Sequence, residues 1–157
     1  MSQFRVEKRR ALAELTLASG EQLTGSFFLA GSSATHPGPE RVVDLLNSED
    51  GFFPFETIEP ARTVMVNRAH LVAARLVEAA EEPQLDAGYD IATVRNVVMR
   101  LSNRYVLRGA VRLYLPEGRD RLSDYARSLS SFRYVESGDG TFIVNSAHIV
   151  ELSETAA

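Results

Sequence analysis

The chain has 157 residues and no cysteine, which excludes disulfides and thiolate chemistry. Lysine is almost absent too. Of the 17 basic residues only Lys8 is a lysine, a skew of the kind a GC-rich genome imposes. A P-loop is thereby excluded, because its glycine-rich turn must end in Gly-Lys to reach a nucleotide's phosphates. HExxH, GxSxG and GxGxxG do not occur, and Gly138-Asp139-Gly140 reads only as a hairpin turn. With three histidines in all and no patterned carboxylates, the residues for a zinc shell are lacking. No apolar run approaches the ~20 residues that span a bilayer. The N-terminal MSQFRVEKRR has no apolar h-region, so no signal peptide is expected and the expected address is the cytoplasm. These absences together predict a protein that is not an enzyme and carries neither metal nor cofactor.

What is present is a stretch that occurs twice. TVMVNRAHLV at Thr63 to Val72 returns as TFIVNSAHIV at Thr141 to Val150, identical at six of ten positions. Self-similarity at a fixed offset signals two copies of one supersecondary unit. The correspondence extends upstream. Leu17, Leu23, Gly25 and Leu29 match Leu101, Leu107, Gly109 and Leu113 at an offset of 84. Arg41, Asp44, Ser48 and Phe52 match Arg121, Asp124, Ser128 and Phe132 at 80, and the ten-residue stretch matches at 78. The offset changes only in loops, which tolerate length changes that strands do not.

Each copy reads as strands. Ala13, Leu15 and Leu17 alternate with polar residues, Ser19-Gly20-Glu21 turns, and Leu23, Gly25, Phe27 and Leu29 alternate again. Residues 1–10 read as a solvated lead-in. Gly31 to Glu40 reads as a loop, and RVVDLLNS from Arg41 as a short helical turn. FFPFET from Phe52 reads as a strand that Pro54 confines to an edge or bulge. Val64 to Asn67 and Leu71 to Leu76 are strands joined across Arg68-Ala69-His70, a span that fits only a tight or 3₁₀ turn. The second copy repeats this, with Val97, Met99, Leu101, Tyr105, Leu107, Gly109, Val111, Leu113 and Leu115 facing inward.

Leu23-Thr24-Gly25-Ser26-Phe27 and Leu107-Arg108-Gly109-Ala110-Val111 resemble the first Sm motif, and VN-x-AH-[LI]-V resembles the closing one. The whole pattern is similar to an uncharacterised bacterial domain family with an Sm-like, SH3-like small-barrel core. The resemblance covers both repeats and implies a fold without an activity. The acidic and asparagine residues through which Sm proteins contact RNA have no clear counterpart here. NSEDG at Asn47 to Gly51, with Arg9 and Arg10, resembles the cyclic-dinucleotide element of PilZ domains, but its spacing departs from that motif.

Net charge is −4, against a general nucleic-acid binder. Residues 79–93 hold four acidic and no basic side chains (−4), while 94–157 hold nine basic and seven acidic (+2). Arg100, Arg108 and Arg112, with Tyr114, fall on the outward face of the second hairpin, where the first copy has Thr16, Thr24 and Phe28 at the arginine positions. They are candidates for an external anion, or for Glu81, Glu82, Asp86 and Asp90 of the connector. Asn67, His70, Asn145 and His148 are candidates because both copies hold them, although an asparagine there also suits a turn cap. Arg41 with Asp44 and Arg121 with Asp124 have the spacing of local ion pairs.

The expected architecture is mainly β: two tandem small SH3-like/Sm-like β-barrels, each with a short helical turn between strands two and three. The first repeat is 11–78, the acidic connector 79–93 and the second repeat 94–154. A unit this small is marginal alone, so the two are expected to pack as a pseudo-symmetric pair, by a two-fold or by side-by-side strand pairing. The expected function is a bacterial protein-interaction or scaffold module. The alternative is RNA or nucleotide binding, of cyclic-dinucleotide type, through the arginine face. The expected partner is another protein, with self-association open and no membrane.

Overall fold

The computed structural model describes residues 8–31, 33, 38–77, 83, 86–116, 118–127 and 131–155. The first half runs β1 (Lys8–Leu17), β2 (Gln22–Ala30), α1 (Val42–Ser48), β3 (Phe52–Thr57), β4 (Arg62–Asn67) and β5 (Leu71–Leu76), with a 3₁₀ turn at Arg68–His70 between the last two. The second runs β6 (Thr93–Leu101), β7 (Val106–Leu113), α2 (Leu122–Ala126), β8 (Phe132–Ser137), β9 (Gly140–Asn145) and β10 (Ile149–Glu154), again with a 3₁₀ turn, Ser146–His148, before the last strand. The chain is mainly β. All ten strands lie in one antiparallel sheet, in the order β10-β6-β7-β8-β9-β5-β1-β2-β3-β4. Each half thus contributes its fifth strand, then its first to fourth.

The halves meet along β5 and β9, with Ala73 opposite Val144, Ala74 opposite Ile143 and Leu76 opposite Thr141. This is side-by-side pairing of unlike edges. A two-fold would have paired β5 with β10 or β4 with β9. Arg75 reinforces the seam, holding the Glu14 carboxylate at 2.5 Å and donating to the Asp139 carbonyl at 3.4 Å.

Each half has an apolar core, and the seam makes each core borrow from the other half. Phe132 and Ile143 of the second half belong to the first core, around Leu15, Phe27, Phe53 and Phe55. Val72 and Ala73 of β5 belong to the second, around Met99, Leu107, Val111 and Val144. In the first core Phe27 stacks on Phe53 (centroids 5.4 Å apart) and meets Phe55 edge-on (5.3 Å). Such aromatic pairs add ~1 kcal/mol beyond their buried area.

The glycines matched between halves mark where strands crowd. A Cβ at Gly25 would lie 2.0 Å from the Glu56 carbonyl oxygen, and one at Gly109 would lie 2.7 Å from that of Glu136. Only glycine permits that approach of β3 to β2 and of β8 to β7.

Three local expectations are corrected. β1 begins at Lys8 rather than Ala11, because β2 is long enough to pair with it: Arg9 opposes Leu29, and Arg10 opposes Phe28 and stacks on its ring. β3 is an interior strand despite Pro54. Its ladder to β2 covers only Phe55 to Thr57, so the missing proline N–H falls where β2 needs no donor. Tyr105 and Leu115, expected to face inward, are exposed, since both lie just beyond the ends of β7.

Candidate functional site

The two Asn-His turns have the geometry the turn-cap reading requires. The Oδ1 of Asn67 accepts from the Ala69 N–H, and that of Asn145 from the Ala147 N–H, both at 3.0 Å. Each side chain thereby satisfies an N–H at the start of its 3₁₀ turn. Beyond that the two differ. Asn145 is buried at the seam, and its Nδ2 donates to the carbonyls of Arg68 (3.2 Å) and Leu71 (3.0 Å) in the first half. His148 also crosses. Its Nε2 donates to the Ala69 carbonyl at 2.7 Å, which leaves Nδ1 to accept from the Ser102 hydroxyl at 2.7 Å. Asn67 Nδ2 and the exposed His70 ring have no hydrogen-bond partner among the described residues. Of the four, Asn145 and His148 bridge the two halves, while the Asn67 Nδ2 donor and the His70 ring are idle among the described residues.

Arg68, which no sequence pattern singled out, is the buried cation among the described residues of the first half. Its guanidinium donates to the carbonyls of Leu46 (3.2 Å), Phe52 (2.9 Å) and Leu45 (3.0 Å) and stands over the Phe53 ring. The Leu45 and Leu46 carbonyls belong to the last turn of α1, where the helix leaves acceptors unsatisfied and its dipole favours a cation. Burial lowers the Arg68 pKa, against the opposing charges of Glu49 and Asp50. The second half has Ser146 here, so comparing the copies gives no hint of this role. Asn47 joins α1 to the other half through a pair of bonds, to the Phe132 carbonyl (3.0 Å) and from its N–H (2.9 Å).

The arginine face does not act as one surface. Arg100 is exposed and pairs with Glu151 at 3.4 Å. Arg112 turns toward the connector, donating to the Tyr89 carbonyl at 3.0 Å, lying 3.6 Å over the Tyr89 ring and 3.8 Å from Glu136. Arg108 is exposed and has no ion pair among the described residues. Of the connector acids proposed as partners, Asp86 goes instead to Arg41 and to the Tyr114 hydroxyl (3.2 Å). Glu81 and Glu82 lie outside the described residues.

Arg112 and Tyr114 line a cleft of about 590 Å³ between α1, the connector and β7–β8, together with Arg41, Asp44, Asp86 and Tyr125. Arg41 is held by Asp44 (3.1 Å) and Asp86. Burial alone would lower its pKa, but those two hydrogen bonds raise it above the ordinary arginine value. Partial burial, then Asp86, pushes the Tyr114 hydroxyl above the ordinary tyrosine range, and burial does the same for Tyr125. Arg41 and Arg112 of this cleft are already paired with carboxylates of the same chain. Among the described residues no cluster of His, Asp and Glu could hold a metal ion, and no helix is long and apolar enough to cross a membrane.

Two further surfaces are the outer edges of the sheet. Among the described residues β4 and β10 each pair on one side only, and they expose Met65 (58%) and Val150 (68%). No protein-family model, curated protein or solved structure matches the chain.

Proposed function

We propose that the chain is a non-enzymatic interaction module, two duplicated small barrels of Sm-like type that recruit a polypeptide partner along their open strand edges. Support for the barrel reading is the recurrence of one strand order, fifth-first-second-third-fourth, with a 3₁₀ turn before the last strand and an apolar core centred in each half and completed from the other. The single observation that carries the function is the pair of outer strands with one unpaired side and exposed apolar residues. An open edge offers a row of N–H and C=O groups that an added strand can satisfy.

Affinity purification with the wild type and with Met65→Glu and Val150→Glu tests this. Both substituted side chains are exposed, so the fold should be retained by circular dichroism. Partners held by the wild type and lost from the variants support the reading. Equal recovery from all three proteins counts against it.

The second reading, RNA or nucleotide binding at the arginine face, draws on Arg108, an exposed cation without a partner among the described residues. It requires salt-sensitive RNA binding that weakens with Arg108→Ala. With Arg100 and Arg112 both paired, this face presents little concentrated positive charge.

A further inference from the structure

The seam inside the molecule is a template for a contact outside it. β9 is the counterpart of β4, and β10 is the counterpart of β5, both at an offset of 78. The strands joined at the seam, β5 and β9, therefore have their counterparts at the two ends of the sheet. We infer that a second copy of this chain docks head to tail, its β4 pairing with β10 of the first. The inference rests on the edge-recruitment reading above and names its partner.

Register follows from the seam. Shifting the β5–β9 pairs by 78 places Glu151 opposite Val66, Leu152 opposite Met65, Ser153 opposite Val64 and Glu154 opposite Thr63. Two of the exposed apolar residues, Met65 and Val150, lie where the shift would cover them. Val72 and Ile143 are fully buried at the seam (0% each), while their counterparts Val150 and Met65 are 68% and 58% exposed. The polar groups correspond as well. Asn145 Nδ2 reaches the Arg68 and Leu71 carbonyls and His148 Nε2 reaches that of Ala69. Their counterparts Asn67 and His70 are the idle pair. The carbonyls they would reach on the other copy are those of Ser146, Ile149 and Ala147.

Charge weighs against pairing of two β10 edges. It would bring Glu151 and Glu154 of both copies together, and like charges facing across a ladder repel, an effect that Arg100 (3.4 Å from Glu151) and Arg95 (3.7 Å from Glu154) reduce. Against β4, Glu154 lies opposite Thr63 and so approaches Arg62, which forms no ion pair among the described residues. Glu151 and Glu154 stand where β5 has Ala73 and Leu76, so the outer contact buries less apolar surface than the seam. It is accordingly weaker than the seam and depends on concentration.

Sedimentation of the full chain over a wide concentration range tests this, with Met65→Glu and Val150→Glu as edge-blocked variants. The wild type should grow from 17.3 kDa to multiples of that mass. Each variant alone should stay monomeric. Mixing the two restores one intact β10–β4 contact per pair, so the mixture should stop at a 1:1 dimer. Asn67→Asp keeps the cap acceptor and removes the donor, and should weaken association about tenfold with folding unchanged.

Self-association of Met65→Glu alone, or of Val150→Glu alone, would mean like-edge pairing and overturn the inference. So would a wild type that is monomeric throughout. If that monomer still holds a partner that Met65→Glu loses, only the inference fails. If it holds none, the edge-recruitment reading fails with it.

Discussion

At the residue scale the paired positions separate capping from bridging. Asn67 performs one task and Asn145 performs both. Replacing Asn145 with alanine removes the cap and two donors at a buried site, and should cost about 2–4 kcal/mol. Asn67→Ala removes only an exposed cap, for about 1 kcal/mol. Urea unfolding of the two variants checks the difference. Arg68→Met should cost about 2–4 kcal/mol and loosen α1, because three carbonyls lose a charged donor; hydrogen exchange at Val42–Ser48 reads the loosening directly. Tyr89 and Tyr125 have pKa values raised above the ordinary tyrosine value, mainly by burial. Folding therefore favours their neutral form, and that stability is present below about pH 10, the ordinary tyrosine value. It is lost as pH rises through their folded-state values. Tyrosinate absorbance should appear later in the folded protein than in urea.

The residues with counterparts in both halves were legible because duplication supplies an internal comparison. The asparagine cap was readable from residue type and spacing, and Gly25 and Gly109 were matched between the halves, although the close backbone approach at them was not read from the match. Arg68 was not readable, since its counterpart is serine and its partners are backbone carbonyls, which leave no trace in residue identity. The destination of Arg112 was equally hidden. Its ring partner, Tyr89, lies in a connector with no periodic pattern.

Among the elements, hairpin strands were the easiest to read, because alternation reports one buried face. Strand pairing was harder. Pro54 argued for an edge position, and β3 is nonetheless interior, because its ladder to β2 stops at Phe55. A proline excludes a hydrogen bond at one residue only, and the neighbouring strand need not extend that far. The contact between β2 and β3 gives the sharpest test at this scale. Gly25→Ala places a methyl group 2.0 Å from backbone oxygen that cannot move alone. It should destabilise the protein by more than 3 kcal/mol or prevent folding. Gly109→Ala, at 2.7 Å, should be tolerated somewhat better. Thermal unfolding of the two variants ranks them.

For the molecule as a whole, the internal repeat indicated two units, each small enough to need the other. The repeat left two-fold and side-by-side packing equally open. The choice between them depends on which edges meet, and that is set by Asn145, His148 and Arg75 reaching across the seam, contacts separated by more than 60 residues in the chain. Deleting residues 94–157 removes Phe132 and Ile143 from the first core and bares β5. The fragment should be insoluble or unfolded by circular dichroism, while the full chain unfolds in one cooperative step.

The seam also has a consequence for synthesis. Val144 emerges from the ribosome long after Ala73, its partner across β5 and β9. Throughout that interval the nascent first half carries a strand whose outer side has nothing to bind, and a core still short of two side chains. Neighbouring nascent chains on one message hold the same unfilled strand close together. Slower translation through β6 to β8 should therefore lengthen that exposure and raise the share of product with exchanged strands.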